Sequence, residues 1–267
     1  MDKEKPPPIF NFIYDTYDNM MTFKRPVKRL MENAKLTKGQ RVLDVACGTG
    51  WATIEAAKVV GIKGSVMGVD IADKMLDIAK EKTHIAGLSN VEYIVGNAEA
   101  LELNDAYFDV VLCSLSIFFL RDIPRALQEW HRVLRIGGTL AFSSFGMEFG
   151  QPFYQLFFDR LSRYDGQPSP SQSVAVNTEI PENCQILLEN SGFVDISATS
   201  EQLGFYLSDL SDYWKEVSSG AARLRLDRLN PADLEKFRAE HLSEVESLRT
   251  EKGIWIDIPI IYSVAKK

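Results

Sequence analysis

The sequence predicts an α/β fold built on a mostly parallel sheet, and three observations carry that prediction. Short β-rich runs alternate with segments of helical period, as in successive βαβ units. The runs are apolar throughout, as strands covered by helices on both faces are. The first run passes directly into a glycine-bearing turn, "RVLDVACGTGWATIEAAK" at 41–58, and a helix pattern begins at once behind it.

The elements follow in order. Residues 1–25 read as a tail with a proline run at 6–8, then a cap helix that "NFIYDTYDNMMTF" opens. Strands are expected at 41–46, 65–69, 91–95, 108–113 and 138–144. A helix over 73–83 sets Met75, Leu76 and Ala79 on one face and stops at Gly87. A helix over 123–135 starts at Asp122 and Pro124, carries Leu127, Trp130 and Leu134 as a stripe, and ends at Gly137 and Gly138. The regularity stops near residue 145. The aromatic-rich stretch 145–158, "FGMEFGQPFYQLFF", is either core or the wall of a pocket for a flat apolar molecule. Residues 165–173 form a loop by composition, and 193–199 a further strand. A helix from Pro231 to Arg249 places Leu234, Phe237, Val245 and Leu248 on one side, and "GIWIDIPIIYSVAKK" reads as a last strand. No internal repeat is present.

Composition narrows the function. The 267 residues suffice for a buried core, with 45% hydrophobic and 25% charged residues, as in a globular protein. A net charge of −7 lacks the basic footprint of a nucleic-acid binder, and the cluster Lys24, Arg25, Lys28, Arg29 reads as a solvated helix face. No apolar run reaches membrane-span length, and the N-terminus is not a signal peptide. Three cysteines, an odd number, suit a reducing cytoplasm rather than a disulfide framework or a zinc site. Cys47 and Cys113 read as small apolar fillers, His131 as structural and His84 as a surface residue.

The glycine turn points to a ligand. A helix N-terminus behind such a turn offers free N–H groups and a positive dipole end. The dinucleotide pattern G-x-G-x-x-G would need a third glycine at 53, where Thr53 stands, which weakens a pyrophosphate reading. The alternative, D-x-x-x-G-x-G, brings the backbone close to a ligand without phosphate, and Asp44 is placed to assist a cation on its amino-acid end. Asp70, at the end of the second strand and 20 residues past Gly50, is placed to accept from ribose hydroxyls. After the third strand, Asn97 offers an amide to an adenine edge and Ala98 leaves room for the ring. Ser114 sits at the mouth after the fourth strand.

Together "VLDVACGTG", "VMGVDIADKML", "VEYIVGNAEAL", "FDVVLCSLSIFFLRD" and "HRVLRIGGTLAFS", in this order and spacing over about residues 26–145, resemble the class I S-adenosylmethionine-dependent methyltransferases. Within that superfamily the sequence is most similar to the branch holding the ubiquinone/menaquinone biosynthesis C-methyltransferases. The resemblance implies a Rossmann-like sheet of seven strands, the last antiparallel, with helical N-terminal and C-terminal caps. Residues 26–145 would be the S-adenosylmethionine-binding core, and 146–267 substrate-cap insertions plus the last two strands of the same sheet. S-Adenosyl-L-methionine would be the cofactor and S-adenosyl-L-homocysteine its product.

The resemblance carries Thr49, Asp70, Asn97, Ala98 and Ser114 across as cofactor contacts, with Gly48 as the close-approach glycine beside Gly50. Ala46 stands where many relatives have Gly, and Asn97 where many have Asp. Ile71 and Met75 join the cofactor positions, as do Tyr14 and Tyr17 in "YDTYD", a segment that closes over the methionine end. The expected partner is a small, apolar or aromatic methyl acceptor, with no metal and no nucleic acid; a homodimer is the protein association to test. His241, on the apolar side of the late helix, is the candidate general base if that helix lids the pocket, and a packed core histidine otherwise. The alternatives are C-methylation of a quinone precursor and, from another class, a non-catalytic cofactor-binding sensor or complex subunit.

Overall fold

The computed structural model describes residues 10–169 and 178–267. The proline run at 6–8 and part of the expected 165–173 loop lie outside the described residues. Five strands form where the apolar runs predict them: β1 (Arg41–Val45), β2 (Ser65–Asp70), β3 (Val91–Val95), β4 (Phe108–Ser114) and β5 (Leu134–Phe145). Two more, β6 (Val194–Gln202) and β9 (Pro259–Lys266), complete a seven-stranded sheet of order β3-β2-β1-β4-β5-β9-β6. Pairings among β1 to β5 are parallel, and β9 runs antiparallel to both neighbours. The order reverses between β1 and β4, where an open α/β sheet leaves a crevice at its carboxyl edge.

Alternate strand residues feed two cores. Val42, Leu112, Ala141 and Ile260 face one, with α2 (Met21–Ala34), α3 (Trp51–Val60) and α6 (Phe153–Asp165) over them. Leu43, Val111, Phe142 and Ile261 face the other, under α5 (Ile123–Val133) and α7 (Pro181–Asn190). The helix α4 (Asp73–Ile85) packs on β2 and β3. The edge strand β3 is not buried throughout: Val95 is 62% exposed.

Several boundaries differ from the sequence expectation. The N-terminal cap is two helices, α1 (Phe10–Tyr17) and α2, broken at Asp18–Met20. The Asp122 carboxylate caps α5 as expected, accepting from Arg125 N–H at 3.0 Å. That helix stops at Val133, however, and the Gly137–Gly138 pair lies inside β5, at a register irregularity opposite Phe108–Val110. The expected last strand is divided: β8 (Ile254–Ile256) pairs with β7 (Phe205–Leu207) in a separate ribbon, and only β9 joins the main sheet. In α10 (Pro231–Ser247), Phe237, His241 and Val245 are buried, whereas Leu248 is exposed just past the helix end.

Two helices between β7 and α10, α8 (Leu210–Ser218) and α9 (Ala221–Leu226), clamp the N-terminal cap to the rest. Glu216 of α8 is buried, and its carboxylate accepts from Met21 N–H at 2.8 Å and Thr22 N–H at 3.1 Å. It thus satisfies the first free donors of α2 from a distant part of the chain. Removing it orphans the buried N–H of Thr22 and the part-buried N–H of Met21. Glu216→Ala is therefore expected to cost about 1–3 kcal/mol of stability, read as a lowered midpoint in urea unfolding.

Candidate active site

The glycine turn after β1 is built from left-handed residues. Ala46, Gly48 and Gly50 have φ of 50°, 55° and 81°. Ala46 therefore occupies a conformation that glycine adopts more easily. Gly50 is required twice over, since a Cβ would meet the Tyr93 hydroxyl at 2.6 Å and Ala79 Cβ at 2.9 Å. A Cβ on Gly48 would meet nothing within 4 Å, so its open side is room for a ligand. The turn is fixed from β2. Asp70 Oδ2 accepts from Gly48 N–H at 2.7 Å, and Oδ1 accepts from Ala72 N–H at 2.8 Å.

Two cavities flank the turn. The larger, ≈ 900 Å³ measured out to its mouth, is lined by Asp70, Ile71, Met75, Asn97 and Ala98. The smaller, ≈ 350 Å³, is lined by Asp44, Cys47, Thr49 and Ser114. Tyr17, Ala46, Gly48 and Ser116 line both and form the waist between them. Of the cofactor positions singled out in the sequence, Gly50 and Tyr14 line neither cavity. Gly50 caps α3, and Tyr14 packs beside Ile13, Ala72 and Met75.

The polar groups divide between fixed and open valences. Asn97 Oδ1 accepts from Glu99 N–H at 2.9 Å, which sets its amide as a donor toward the larger cavity. Ala98 is held by its carbonyl, which accepts from Trp130 Nε1 at 3.0 Å. Asp44 is fully buried. Its Oδ2 accepts from the Thr53 hydroxyl at 2.5 Å, and Oδ1 has no partner among the described residues. Burial, with a smaller contribution from the Asp70 charge, pushes the Asp44 carboxyl up to about 7. An orphaned carboxylate oxygen beside a cavity fits a ligand cation.

The sequence reasoning missed the latch that holds the cap in place. Asp18 Oδ1 accepts from the Thr49 hydroxyl at 2.6 Å and Trp51 Nε1 at 2.8 Å, while Oδ2 pairs with Lys82 Nζ at 2.8 Å. Lys82 Nζ also lies 3.6 Å from the centroid of the Trp51 ring. This ties the end of α1 to the turn and holds Tyr17 over the waist. The only sequence signal was that Asp18 follows Tyr17 in "YDTYD". Ser116 and Phe119, in the "CSLSIFF" stretch that holds Ser114, also line the larger cavity and were not predicted.

Rings surround the waist in a circuit. Phe10 meets Phe119 at 5.1 Å, Phe119 meets Phe118 at 4.5 Å, and Phe118 meets Phe145 at 5.3 Å. Phe145 meets Phe23 at 5.7 Å and Phe23 meets Tyr17 at 4.9 Å, which returns to α1. The aromatic stretch 145–158 thus divides. Phe145, Phe153 and Phe157 all belong to the core, and Phe145 alone of the three also joins this circuit.

His241 is not at the site. It lines neither cavity and sits between α6, α8 and α10, with Nε2 2.8 Å from the Tyr213 hydroxyl and its ring stacked on Phe237. Burial lowers its imidazole to about 4. Of the two readings of His241, the packed core histidine is the one its surroundings fit, since α10 packs on α6 and α8. Among the described residues, no group of three or more His, Cys, Asp or Glu could hold a metal ion.

Comparisons with known proteins agree with this architecture. The model of the ubiE/COQ5 methyltransferase family matches residues 1–167. The chain is similar to a demethylmenaquinone methyltransferase of Staphylococcus epidermidis, 36% identical over 154 residues, covering 57% of this chain and 61% of that protein. The chain therefore spans about three fifths of that relative's length. A demethylmenaquinone methyltransferase of Staphylococcus carnosus is 30% identical over 240 residues, covering 82% of this chain and 97% of the relative. A solved structure of a SAM-dependent methyltransferase from Aquifex aeolicus shares the fold, with a TM-score of 0.52 and 22% identity over 73% of this chain and 87% of that one.

The Asp44 carboxyl sets a pH dependence. Its folded value stands above its unfolded one, so the folded state is favoured at low pH, and that advantage is lost as pH rises toward 7. A ligand cation beside it favours the ionised form and expels the proton. Affinity for an ammonium-bearing ligand is therefore expected to be roughly fivefold to tenfold weaker at pH 6 than at pH 7.5. Asp44→Asn should bind weakly and without that dependence, in titrations at both pH values.

Proposed function

We propose that this chain, which belongs to the ubiE/COQ5 methyltransferase family, transfers the sulfonium methyl of S-adenosylmethionine to a small apolar or aromatic molecule. The waist carries this reading: adenosine-type partners stand on one side of Tyr17, Ala46, Gly48 and Ser116, and a buried carboxylate with an open oxygen stands on the other. Asp70 would take the ribose hydroxyls, and the Asn97 amide with Ala98 the adenine. Asp44 would take the ammonium, and Gly48 and Thr49 would border the methionine end. When bound, S-adenosylmethionine supplies a methyl group already activated by positive sulfur.

The chain's own residues then have two tasks, alignment and exclusion of water. The Asp18 latch holds Tyr17 across the waist, and the ring circuit closes it from solvent. Burial raises the Tyr17 hydroxyl well above its ordinary range, so it keeps its proton. Among the described residues no histidine lines either cavity. This favours an acceptor that brings an electron-rich or already ionised nucleophile. The flat ring circuit and the relatives' names favour a quinone precursor, methylated on carbon, as the second reading.

Residues 26–145 would serve the donor and 146–267 the acceptor. Both cavities are lined within one chain, so a homodimer would not be needed to complete them. A cytoplasmic location fits three unpaired thiols, and among the described residues no helix is long and apolar enough to cross a membrane.

Calorimetric titration with S-adenosylmethionine, S-adenosylhomocysteine and NADH tests the donor. Micromolar binding of the first two and none of the third is expected; NADH binding alone would overturn the reading. Slow S-adenosylhomocysteine formation without added acceptor is expected as well. Tight binding with no turnover on any acceptor would favour a sensor or complex subunit.

A further inference from the structure

Within the ring circuit, Phe145 differs from its neighbours. It is the last residue of β5, only 9% exposed, and meets Phe23 and Phe118 at interplanar angles of 79° and 37°. Its remaining face is covered by Phe149, at 3.8 Å between centroids and 21° between planes. Face-on stacking of this kind is how a flat ligand ring would sit on Phe145. One edge of that stack is Phe23, which touches Tyr17 and lines the smaller cavity at the waist.

Phe149 is carried by a short irregular segment between β5 and α6. The segment is pinned at both ends: Gly146 N–H donates to Pro259 O at 2.7 Å, and Gly150 N–H to Asp257 O at 2.9 Å. Between the pins, Met147 is 60% exposed and Glu148 is exposed with a left-handed φ of 63°. Phe149 itself is half-buried. Moving its ring off Phe145 gives up the bond from Gln151 N–H to Glu148 O at 3.1 Å and the contact with Tyr154, and leaves both anchors and the sheet intact.

We propose that Phe149 is the specificity-determining residue of the acceptor site: it stands in for the acceptor's flat ring on Phe145 and is displaced by it. This rests on the methyl-transfer reading above and adds the place and shape of the acceptor. A flat conjugated acceptor recovers the stacking that Phe149 gives up, whereas a saturated molecule of equal size does not. The segment thereby selects flat rings and keeps the waist dry until one arrives.

The test is calorimetric titration of the S-adenosylhomocysteine-saturated chain with 1-naphthol and with decahydro-1-naphthol. Phe149→Ala is expected to bind 1-naphthol about tenfold tighter than the parent, and Phe145→Ala about tenfold weaker. Phe149→Leu, which fills space without stacking, should lie between parent and Phe149→Ala, and decahydro-1-naphthol should gain less in every case. S-Adenosylhomocysteine affinity should be unchanged in Phe149→Ala and Phe149→Leu, whose residue lies outside the ring circuit. Equal or weaker 1-naphthol binding by Phe149→Ala, or loss of its cooperative thermal unfolding, would make Phe149 an ordinary wall and overturn the proposal. If the parent fails to bind S-adenosylhomocysteine, the donor reading falls instead, and the same titrations on the ligand-free chain still decide the role of Phe149.

Discussion

The Asp70 carboxylate accepts one backbone N–H from the turn after β1 and one from the turn after β2, and the site is arranged around that pair of bonds. The turn after β1 holds Ala46 in a left-handed conformation, whereas the turn after β2 has ordinary extended backbone at Ala72. Joined through one buried acid, they hold Gly48 open at the cavity and start α4 at a fixed height above the sheet. Burial raises the Asp70 carboxyl, and the two N–H donors work against that rise. The remaining lone pairs of the same oxygens border the larger cavity, so one side chain both shapes the floor and offers it to a ligand.

A second constraint is the long-range closure of the chain. The N-terminal cap covers the waist only because distant segments hold it there. Asp18 reaches the turn, α3 and α4; Glu216 of α8 caps α2; and the Tyr262 hydroxyl of β9 donates to Pro26 O at 3.1 Å. These bonds span most of the sequence and bury charge or hydroxyl groups that would otherwise be costly to desolvate. They make the lid part of the folded body.

His241 and Asp44 show how burial sorts titratable groups. Both are buried with one atom lacking a partner. Asp44 lies beside a cavity, where a ligand cation can complete its valence. His241 is enclosed by Phe157, Phe237 and Tyr213, where none can reach it. The same physical penalty thus marks a site in one case and a packed core in the other, and location alone separates them.

Sequence by itself determined the sheet's first five strands, the glycine turn, and the placing of Asp44, Asp70, Asn97 and Ala98 at the strand ends. These follow from local causes: apolar runs of strand length, glycines where φ must be positive, and βαβ alternation that puts every strand end on one edge. Tertiary structure decided the rest. The break of the cap at Asp18, the split of the last strand into β8 and β9, the burial of His241 and the ring circuit through Phe23, Phe118 and Phe145 all depend on contacts between residues far apart in the chain. A pattern of one side's apolar residues tells which face of α10 is buried, but not what buries it. That choice is made by packing against α6 and α8, and packing has no signature within a single element.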